Sequence, residues 1–216
     1  MRVVDLGITD YREACRIQSE ILAKRINGDI PDTLIVTEHE PAVVLGRTSD
    51  MKSVRDARYF EKNNIPVIRS SRGGKITYHS PGQMVLYPIV DLKERARDIS
   101  SYIDELECAV SEGLREMGIP AVRHTERRGV WVEGKKIAFS GISLRKWVTY
   151  HGIITNINND ITPFSLIDPC GEKDIEVTSA GAFLGGYLDM EAVKERFVRL
   201  FRKSFEKRQK AEVVDR

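Results

Sequence analysis

Cys170 lies in the tetrapeptide Asp168-Pro169-Cys170-Gly171, where a proline and a glycine flank its thiol. Such neighbours favour a tight, exposed bend, and a thiol held on a bend can meet a carbonyl carbon as a nucleophile. Cys15 and Cys108 instead fall in helix-like stretches, where a cysteine usually acts as a small apolar side chain. Of the three cysteines, Cys170 is therefore the candidate for covalent chemistry, and the spacing leaves open the alternative of an inert loop cysteine.

A thiol nucleophile benefits from a cation beside it, because only a small fraction of a free cysteine is thiolate at neutral pH. Residues 134–141, GKKIAFSG, supply two candidates, Lys135 and Lys136. Neighbouring residues of a strand point to opposite faces, so only one of the two can enter a site. Taken without other information, either lysine is more typical of a surface turn than of a site.

A second unusual segment, RGGKITYHSPGQ, covers residues 72–83. Its Gly73-Gly74 pair permits backbone conformations closed to other residues and a close approach to a ligand. Side-chain donors and acceptors surround the pair: Arg72, Thr77, Tyr78, His79 and Gln83. The segment predicts a ligand-binding loop, with a sharp connecting loop as the alternative.

The composition narrows the class of protein. The chain has 216 residues, 34 of them basic and 32 acidic, with a net charge of +2. This length favours one domain, residues 1–216, and the balanced charge argues against nucleic-acid binding. Three cysteines and an N-terminal segment without a signal-peptide core favour reduced thiols in the cytoplasm.

Two further classes of protein are disfavoured by the sequence pattern. The longest stretch without a charged side chain, 76–90, contains histidine, glycine and two prolines, which argues against a membrane span. The histidines are scattered and there is no Cys-x-x-Cys motif, so we expect no metal site. His151 enters a predicted strand and is, taken alone, a weak indication of a site.

Hydrophobic spacing predicts helices at 10–27, 56–63, 99–117 and 190–207. It predicts two strands within 34–45, further strands at 66–69, 82–90 and 151–157, and a hairpin from Val130 that turns at Glu133-Gly134. Hairpins mixed with helices, instead of alternating strand–helix units, favour an α+β fold with a mixed, largely antiparallel sheet and flanking helices.

Several segments together resemble the lipoyl(octanoyl) transferase family, the octanoyltransferases of lipoate biosynthesis. They are LGR at 45–47, RGGKITYHSPGQ at 72–83 with VLYP at 85–88, GVWVEGKKIA at 129–138, HGIITNIN at 151–158, DPCG at 168–171 and VTS at 177–179. The segments occur in family order and span most of the chain, so the combination is specific although each piece alone is weak. The residues after Gly171, EKDIE, depart from the family pattern.

The resemblance implies a fold and a reaction. The fold is the α/β layered architecture of biotin and lipoate protein ligases, built around a mixed sheet. The reaction moves an octanoyl group from the phosphopantetheine thioester of acyl carrier protein to a lysine of an apo-lipoyl domain. Such domains occur in the E2 subunits of 2-oxoacid dehydrogenases and in the H protein of the glycine cleavage system. The resemblance implies a cytoplasmic enzyme without a cofactor, and we expect a monomer that binds neither nucleic acid nor membrane.

The resemblance also implies roles for individual residues. Cys170 matches the nucleophile that carries the acyl group as a thioester, and the KIA string makes Lys136 its lysine partner. A substrate-binding loop is implied for Arg72, Gly73, Gly74, Lys75, Ile76, Thr77, Tyr78 and His79. Walls of the acyl site are implied for Phe139, Ser140, Gly141, His151, Gly152, Ile153 and Ile154. We further expect backbone amides near the glycine-rich loop or Ser140 to donate hydrogen bonds to the oxyanion.

Two other functions remain open on the sequence. An ATP-dependent lipoate or biotin protein ligase would need an adenylate pocket but no cysteine nucleophile. A non-catalytic protein that binds acyl groups or acyl carrier protein would need neither. Strict dependence on ATP would indicate the first, and an unimpaired Cys170→Ser variant would indicate the second.

Overall fold

The structure is a computed structural model that describes residues 1–95, 97–124, 126–168 and 175–214, with backbone alone for 206–214. Within these residues the strands form a seven-stranded sheet in the order β1-β2-β6-β10-β9-β8-β7 and a three-stranded sheet in the order β4-β3-β5. The strands are β1 Arg2–Thr9, β2 Thr33–His39, β3 Ala42–Leu45, β4 Val67–Arg69, β5 Ile76–His79, β6 Gln83–Ile89, β7 Val122–Arg123, β8 Val130–Val132, β9 Lys135–Arg145 and β10 Val148–Asn156. The helices are α1 Tyr11–Asn27, α2 Ala57–Lys62, α3 Ile99–Glu116, α4 Ala180–Leu184 and α5 Met190–Val214.

The helix boundaries follow from local side-chain chemistry. The Asp10 carboxylate accepts the backbone N–H groups of Arg12 and Glu13 and so caps the start of α1. Gly28 ends the same helix in the left-handed conformation, at φ 84°. Asp98 caps α3 in the same way, through the N–H of Ser101. The predicted helices at 10–27, 56–63 and 99–117 are confirmed to within a residue or two, and α5 extends further than the predicted 190–207.

Helices cover both faces of the large sheet. On one face, Ile21 and Leu22 of α1 pack against Ile35, Val85 and other apolar residues of the central strands. On the other face, the apolar stripes of α3 and α5 form the largest core cluster with the sheet; its aromatic members are Tyr102, Phe197, Phe201 and Phe205. This layered, mixed-sheet α+β fold confirms the predicted fold class.

Four strands depart from the sequence prediction, and one of them is the short β7, which the hydrophobic pattern does not predict and which pairs antiparallel with β8. β1, which the hydrophobic pattern does not predict, pairs parallel with β2 at the edge of the large sheet. β5 lies within the segment predicted as a binding loop, because it pairs antiparallel with β3 of the small sheet. β10 begins at Val148 instead of His151, and its first residues form a hairpin with β9. Each departure is a pairing between strands, which a local pattern does not encode.

Within the described part of the chain, every helix is too short or too polar to cross a lipid bilayer.

Candidate active site

A cavity of about 460 Å³ lies where the two sheets meet, between β9 and β10 of the large sheet and β5 of the small one. Its volume falls within the range of small-molecule sites, about 300–1,000 Å³. Most of the candidate substrate-binding residues line it. They are Arg72, Gly73, Gly74, Lys75, Ile76, Thr77, His79, Phe139, Ser140, Gly141, His151, Gly152 and Ile154, together with Lys136.

The glycine-rich loop is held at the mouth of this cavity by backbone contacts. The N–H of Gly73 donates to the carbonyl of Ile142 on β9 at 2.9 Å, and the N–H of Gly46 donates to Lys75 at 3.1 Å. A Cβ on Gly73 would lie 2.6 Å from that Ile142 carbonyl oxygen, and one on Gly46 would lie 2.3 Å from the carbonyl oxygen of Gly74. The glycines are therefore required for the close approach of three chain segments.

Arg72 secures the same loop from beneath. The side chain is buried, and its guanidinium donates to the carbonyls of Val44 at 2.7 Å and Gly73 at 3.1 Å. These hydrogen bonds connect the loop to β3, so two of the guanidinium nitrogens stabilise the conformation of the loop. The sequence predicted Arg72 only as a group facing a ligand.

One side of the cavity is apolar. Ile76, Ile142 and Ile154 line it, and Phe139 stacks on Phe164 with ring centroids 5.2 Å apart and planes 9° from parallel. Each methylene of a bound chain that leaves water for such a wall contributes about 0.8 kcal/mol. This side of the cavity suits an acyl chain.

Lys136 lies on β9 with its side chain buried, 4% exposed, and lines the cavity. Its Nζ is 5.2 Å from the ring centroid of Trp131 and 5.1 Å from that of Phe139. Aromatic faces at these distances attract an ammonium group. Lys135, the alternative, is exposed and forms an ion pair with Glu176 at 3.1 Å. The structure therefore brings Lys136, and not Lys135, into the cavity.

Cys170 falls in 169–174, outside the described residues, but both neighbouring segments are described. On the N-terminal side, the N–H of Asp168 donates to Ser53, and its carboxylate binds the guanidinium of Arg55 at 2.6 Å. On the C-terminal side, the backbone of Lys136 donates to Glu176 at 2.8 Å and accepts the N–H of Thr178 at 3.0 Å. The residues that follow the undescribed segment therefore pair with the backbone of Lys136.

Two candidate residues are absent from the lining of the cavity. Tyr78 packs behind its apolar wall, with its ring centroid 5.9 Å from that of Phe164, in the cluster that also contains Phe139. Ile153 lies in the core beneath α3 and α5. Ile153 alternates with Gly152 and Ile154, which line the cavity, so the period of two of the strand separates it from the site.

Sequence reasoning missed several residues at the site. Tyr87 of β6 and Arg128, which precedes β8, line the cavity. Glu107 on α3 is fully buried and accepts the hydroxyl hydrogen of Ser140 at 2.6 Å. The sequence signal for Glu107 was an acidic residue placed between Ile103 and Val110, on the apolar face of a predicted helix. Since the Ser140 hydroxyl donates its hydrogen to Glu107, backbone amides remain the candidates for binding the oxyanion.

Three histidines at the cavity are buried: His79 and His151 line it, and His39 lies next to His79. His39 bonds to the carbonyl of Thr9 at 3.0 Å and to the Tyr87 hydroxyl at 2.8 Å, and its ring centroid lies 5.0 Å from that of His79. Burial lowers the pKa of His39 to about 4. Burial, and then the charge of Arg72, lowers the pKa of His151 to about 3. Burial, followed by the neighbouring His39, lowers the pKa of His79 well below its ordinary value.

These histidines predict a loss of stability in mild acid. The unfolded chain binds protons below about pH 6.5, whereas folded His39 remains neutral down to about pH 4. The contribution of these groups to the free energy of unfolding should therefore be constant well above pH 6.5 and fall by on the order of 2 kcal/mol each for His39 and His151 between pH 7 and pH 5. Urea unfolding at both pH values measures this. His39→Gln should reduce the difference between them, and an undiminished difference would contradict the assignment.

Among the described residues, no group of three or more histidine, cysteine, aspartate or glutamate side chains is arranged to hold a metal ion.

Solved structures share the fold. A lipoate-protein ligase A bound with ATP superposes with a TM-score of 0.75 at 19% identity, covering 95% of this chain and 85% of that chain. The bi-partite lipoate protein ligase of Thermoplasma acidophilum gives 0.71 at 19% identity, covering 95% and 83%. The biotin protein ligase of Aquifex aeolicus, with biotin and ATP, gives 0.63 at 16% identity, covering 97% and 72%. At these identities the likeness concerns the fold alone.

Sequence comparison is more specific. The profile of the lipoyl protein ligase A/B catalytic domain matches residues 10–202. The octanoyltransferase of Syntrophobacter fumaroxidans is 37% identical over 206 residues, 95% of this chain and 90% of that protein. The octanoyltransferase of Solibacter usitatus is 39% identical over 202 residues, 93% of this chain and 91% of that protein. The chain therefore belongs to the octanoyltransferases, within the family that carries the lipoyl protein ligase A/B catalytic domain.

Proposed function

We propose that this octanoyltransferase carries its acyl group as a thioester on Cys170, taking it from acyl carrier protein and passing it to a lysine of an apo-lipoyl domain. The observation that supports this most directly is the position of Lys136. Its buried side chain lines the cavity, while its backbone pairs with Glu176 and Thr178, on the C-terminal side of the nucleophile segment.

Covalent geometry also limits how far Cys170 can lie from Asp168, on the N-terminal side of the nucleophile segment. Cys170 follows Asp168 by two residues, which span at most about 7 Å. Asp168 lines a cavity that shares Thr48 and Lys75 with the main cavity. This short tether to a cavity that adjoins the main one supports the proposal that Cys170 serves the acyl site.

In the first half-reaction, the Lys136 ammonium stabilises the Cys170 thiolate by charge and hydrogen bonding. The sulfur attacks the carbonyl of the phosphopantetheine thioester, a new carbon–sulfur bond forms, and the bond to the carrier sulfur breaks. Lys136 donates its proton to the departing thiolate and becomes neutral. The apolar wall formed by Phe139 and its neighbours holds the octanoyl chain during the exchange.

In the second half-reaction, the lysine of the lipoyl domain attacks as a neutral amine. A carbon–nitrogen bond forms, the bond to Cys170 breaks, and the amine proton passes to neutral Lys136 as general base. The products are the amide, the Cys170 thiolate and the Lys136 ammonium, which restores the starting enzyme. Conversion of a thioester through a second thioester to an amide lowers the free energy overall, so the proposed reaction requires no ATP, metal or other cofactor.

The proposed partners are acyl carrier protein and the lipoyl domains of E2 subunits and of the glycine cleavage H protein, and the proposed enzyme is a cytoplasmic monomer. Incubation with octanoyl-carrier protein in the absence of ATP should add one octanoyl group to the wild-type enzyme, mapped to Cys170 by peptide mass spectrometry. Cys170→Ser should form no thioester adduct and should transfer no octanoyl group to an apo-lipoyl domain.

Cys108 provides a matched control, because it is an exposed free thiol on α3. Cys108→Ser should form the adduct at the wild-type rate. An adduct that maps to Cys108, or transfer that occurs only when ATP is added, would contradict the proposed mechanism.

A further inference from the structure

Glu107 is a buried acid that the mechanism above does not use. It is fully buried on α3, between Ile103, which lines the cavity, and Val110, which belongs to the core. A carboxylate taken out of water costs several kcal/mol unless hydrogen bonds and opposite charges compensate. Its partners therefore indicate what it does.

Among the partners of Glu107, Ser140 and Arg128 line the candidate active site and Gly129 lies against Lys136. Oε1 accepts the N–H of Gly129 at 2.7 Å and the hydroxyl of Ser140 at 2.6 Å. Oε2 has no hydrogen-bond donor among the described residues, but guanidinium nitrogens of Arg123 and Arg128 lie 3.6 and 3.9 Å from it. The charge is thus compensated on one oxygen by arginines, while the other oxygen orients two groups of the site.

The orientation of the Ser140 hydroxyl has a chemical consequence. A hydroxyl has one hydrogen and two lone pairs, and a carboxylate only accepts. Because the hydrogen of Ser140 is donated to Glu107, the remaining lone pairs of Oγ are what this residue can offer to the cavity that it lines. At this point the cavity therefore presents an acceptor, which suits a ligand N–H and not a negatively charged oxygen.

We propose that Ser140 accepts a hydrogen bond from the attacking lysine amine in the second half-reaction, and that Glu107 is the positioning residue that fixes Ser140 for this role. The inference rests on the proposed function and deepens it. The neutral amine carries two hydrogens and one lone pair. One N–H donated to Ser140 Oγ directs the lone pair at the thioester carbonyl, while the other hydrogen is the one that leaves to Lys136. Neither Ser140 nor Glu107 gives up or takes up a proton in this step.

Loss of the Ser140 acceptor should affect only the second half-reaction, because the donor thioester of the first has no amine. Each variant is loaded from octanoyl-carrier protein, its adduct is quantified by intact mass, and it is then mixed with apo-lipoyl domain in a single turnover. Ser140→Ala should load within about twofold of the wild-type rate and transfer to the lipoyl domain about 10- to 100-fold more slowly. Ser140→Thr, which keeps a hydroxyl, should restore much of the transfer rate.

Glu107 is tested through Ser140. Glu107→Gln keeps an acceptor oxygen for Gly129 but replaces the second oxygen with an NH2 donor. The side chain then no longer requires the Ser140 hydroxyl to act as a donor. This variant should slow transfer more than loading, and the double variant should be no slower than Ser140→Ala, because the two residues act as one unit. A double variant that loses the product of the two single effects would overturn the role of Glu107.

Ser143 provides the control for a buried hydroxyl on the same strand. It is 1% exposed and donates to the carbonyl of Ser71 at 2.7 Å. Ser143→Ala should leave the ratio of loading to transfer unchanged. A wild-type enzyme that fails to load without ATP would overturn the proposed function and this inference with it. Normal loading with an unchanged transfer rate in Ser140→Ala would overturn the inference alone.

Discussion

Lys136→Ala is expected to lower octanoyl transfer by at least about 100-fold, because it removes both the cation that stabilises the thiolate and the group that exchanges protons. The loss should affect loading and transfer alike, unlike the effect predicted for Ser140. Steady-state transfer from octanoyl-carrier protein to a lipoyl domain measures the total effect, and the adduct assay described above separates the two steps.

Lys135→Ala is the matched control for this experiment. The two lysines are adjacent on β9, but Lys135 is exposed and pairs with Glu176 at the surface. Exposed ion pairs contribute little, so this variant should transfer octanoyl at the wild-type rate. Equal losses in both variants would contradict the assignment of Lys136.

The thiolate itself is accessible to measurement. Alkylation of Cys170, followed as a function of pH by peptide mass spectrometry, should be half-maximal below the pH of an ordinary cysteine, which is about 8.5. Lys136→Ala should shift the midpoint upward. Lys136→Arg keeps the charge but cannot exchange a proton, so it should retain a reactive thiolate and turn over poorly. An identical alkylation profile in Lys136→Ala would contradict the proposed charge pair.

Gly129→Ala is expected to impair both activity and stability. Gly129 has φ 108°, outside the range that other residues adopt readily, and an added Cβ would lie 2.5 Å from both the Ala138 carbonyl oxygen and Lys136 Cε. Backbone strain and crowding together should lower the free energy of unfolding by about 2 kcal/mol or more. Displacement of the lysine should slow transfer by about 100-fold. Urea unfolding and the transfer assay measure the two effects.

Gly134→Ala distinguishes strain from displacement. Gly134 also has a positive φ, 79°, but no atom lies within 4 Å of the position of an added Cβ. The variant should lose about 1 kcal/mol of stability from strain alone and keep its transfer activity. If Gly129→Ala were as active as Gly134→Ala, the contact between Gly129 and Lys136 would have no role in positioning the lysine.

Local chemistry made much of the fold predictable. Asp10 caps α1, the apolar stripe of α3 runs from Tyr102 to Leu114, and the Glu133-Gly134 turn joins β8 to β9. Each of these signals involves residues a few positions apart, so it is legible in the sequence. β1 and β5 form because they pair with β2 and β3, and that pairing depends on residues far along the chain.

For the candidate site, too, some features follow from the sequence and others only from the tertiary structure. The sequence by itself determined the residue types, because the motifs around Cys170, Lys136 and the Gly73-Gly74 pair carry the family pattern. Only the tertiary structure decided which of these side chains share a cavity, since the alternation of a strand turns Ile153 into the core and leaves Ile154 in the site. It also decided the role of Glu107, whose partners Gly129 and Ser140 are 22 and 33 residues away. A hydrogen bond depends on distance in space, and folding alone brings such residues together.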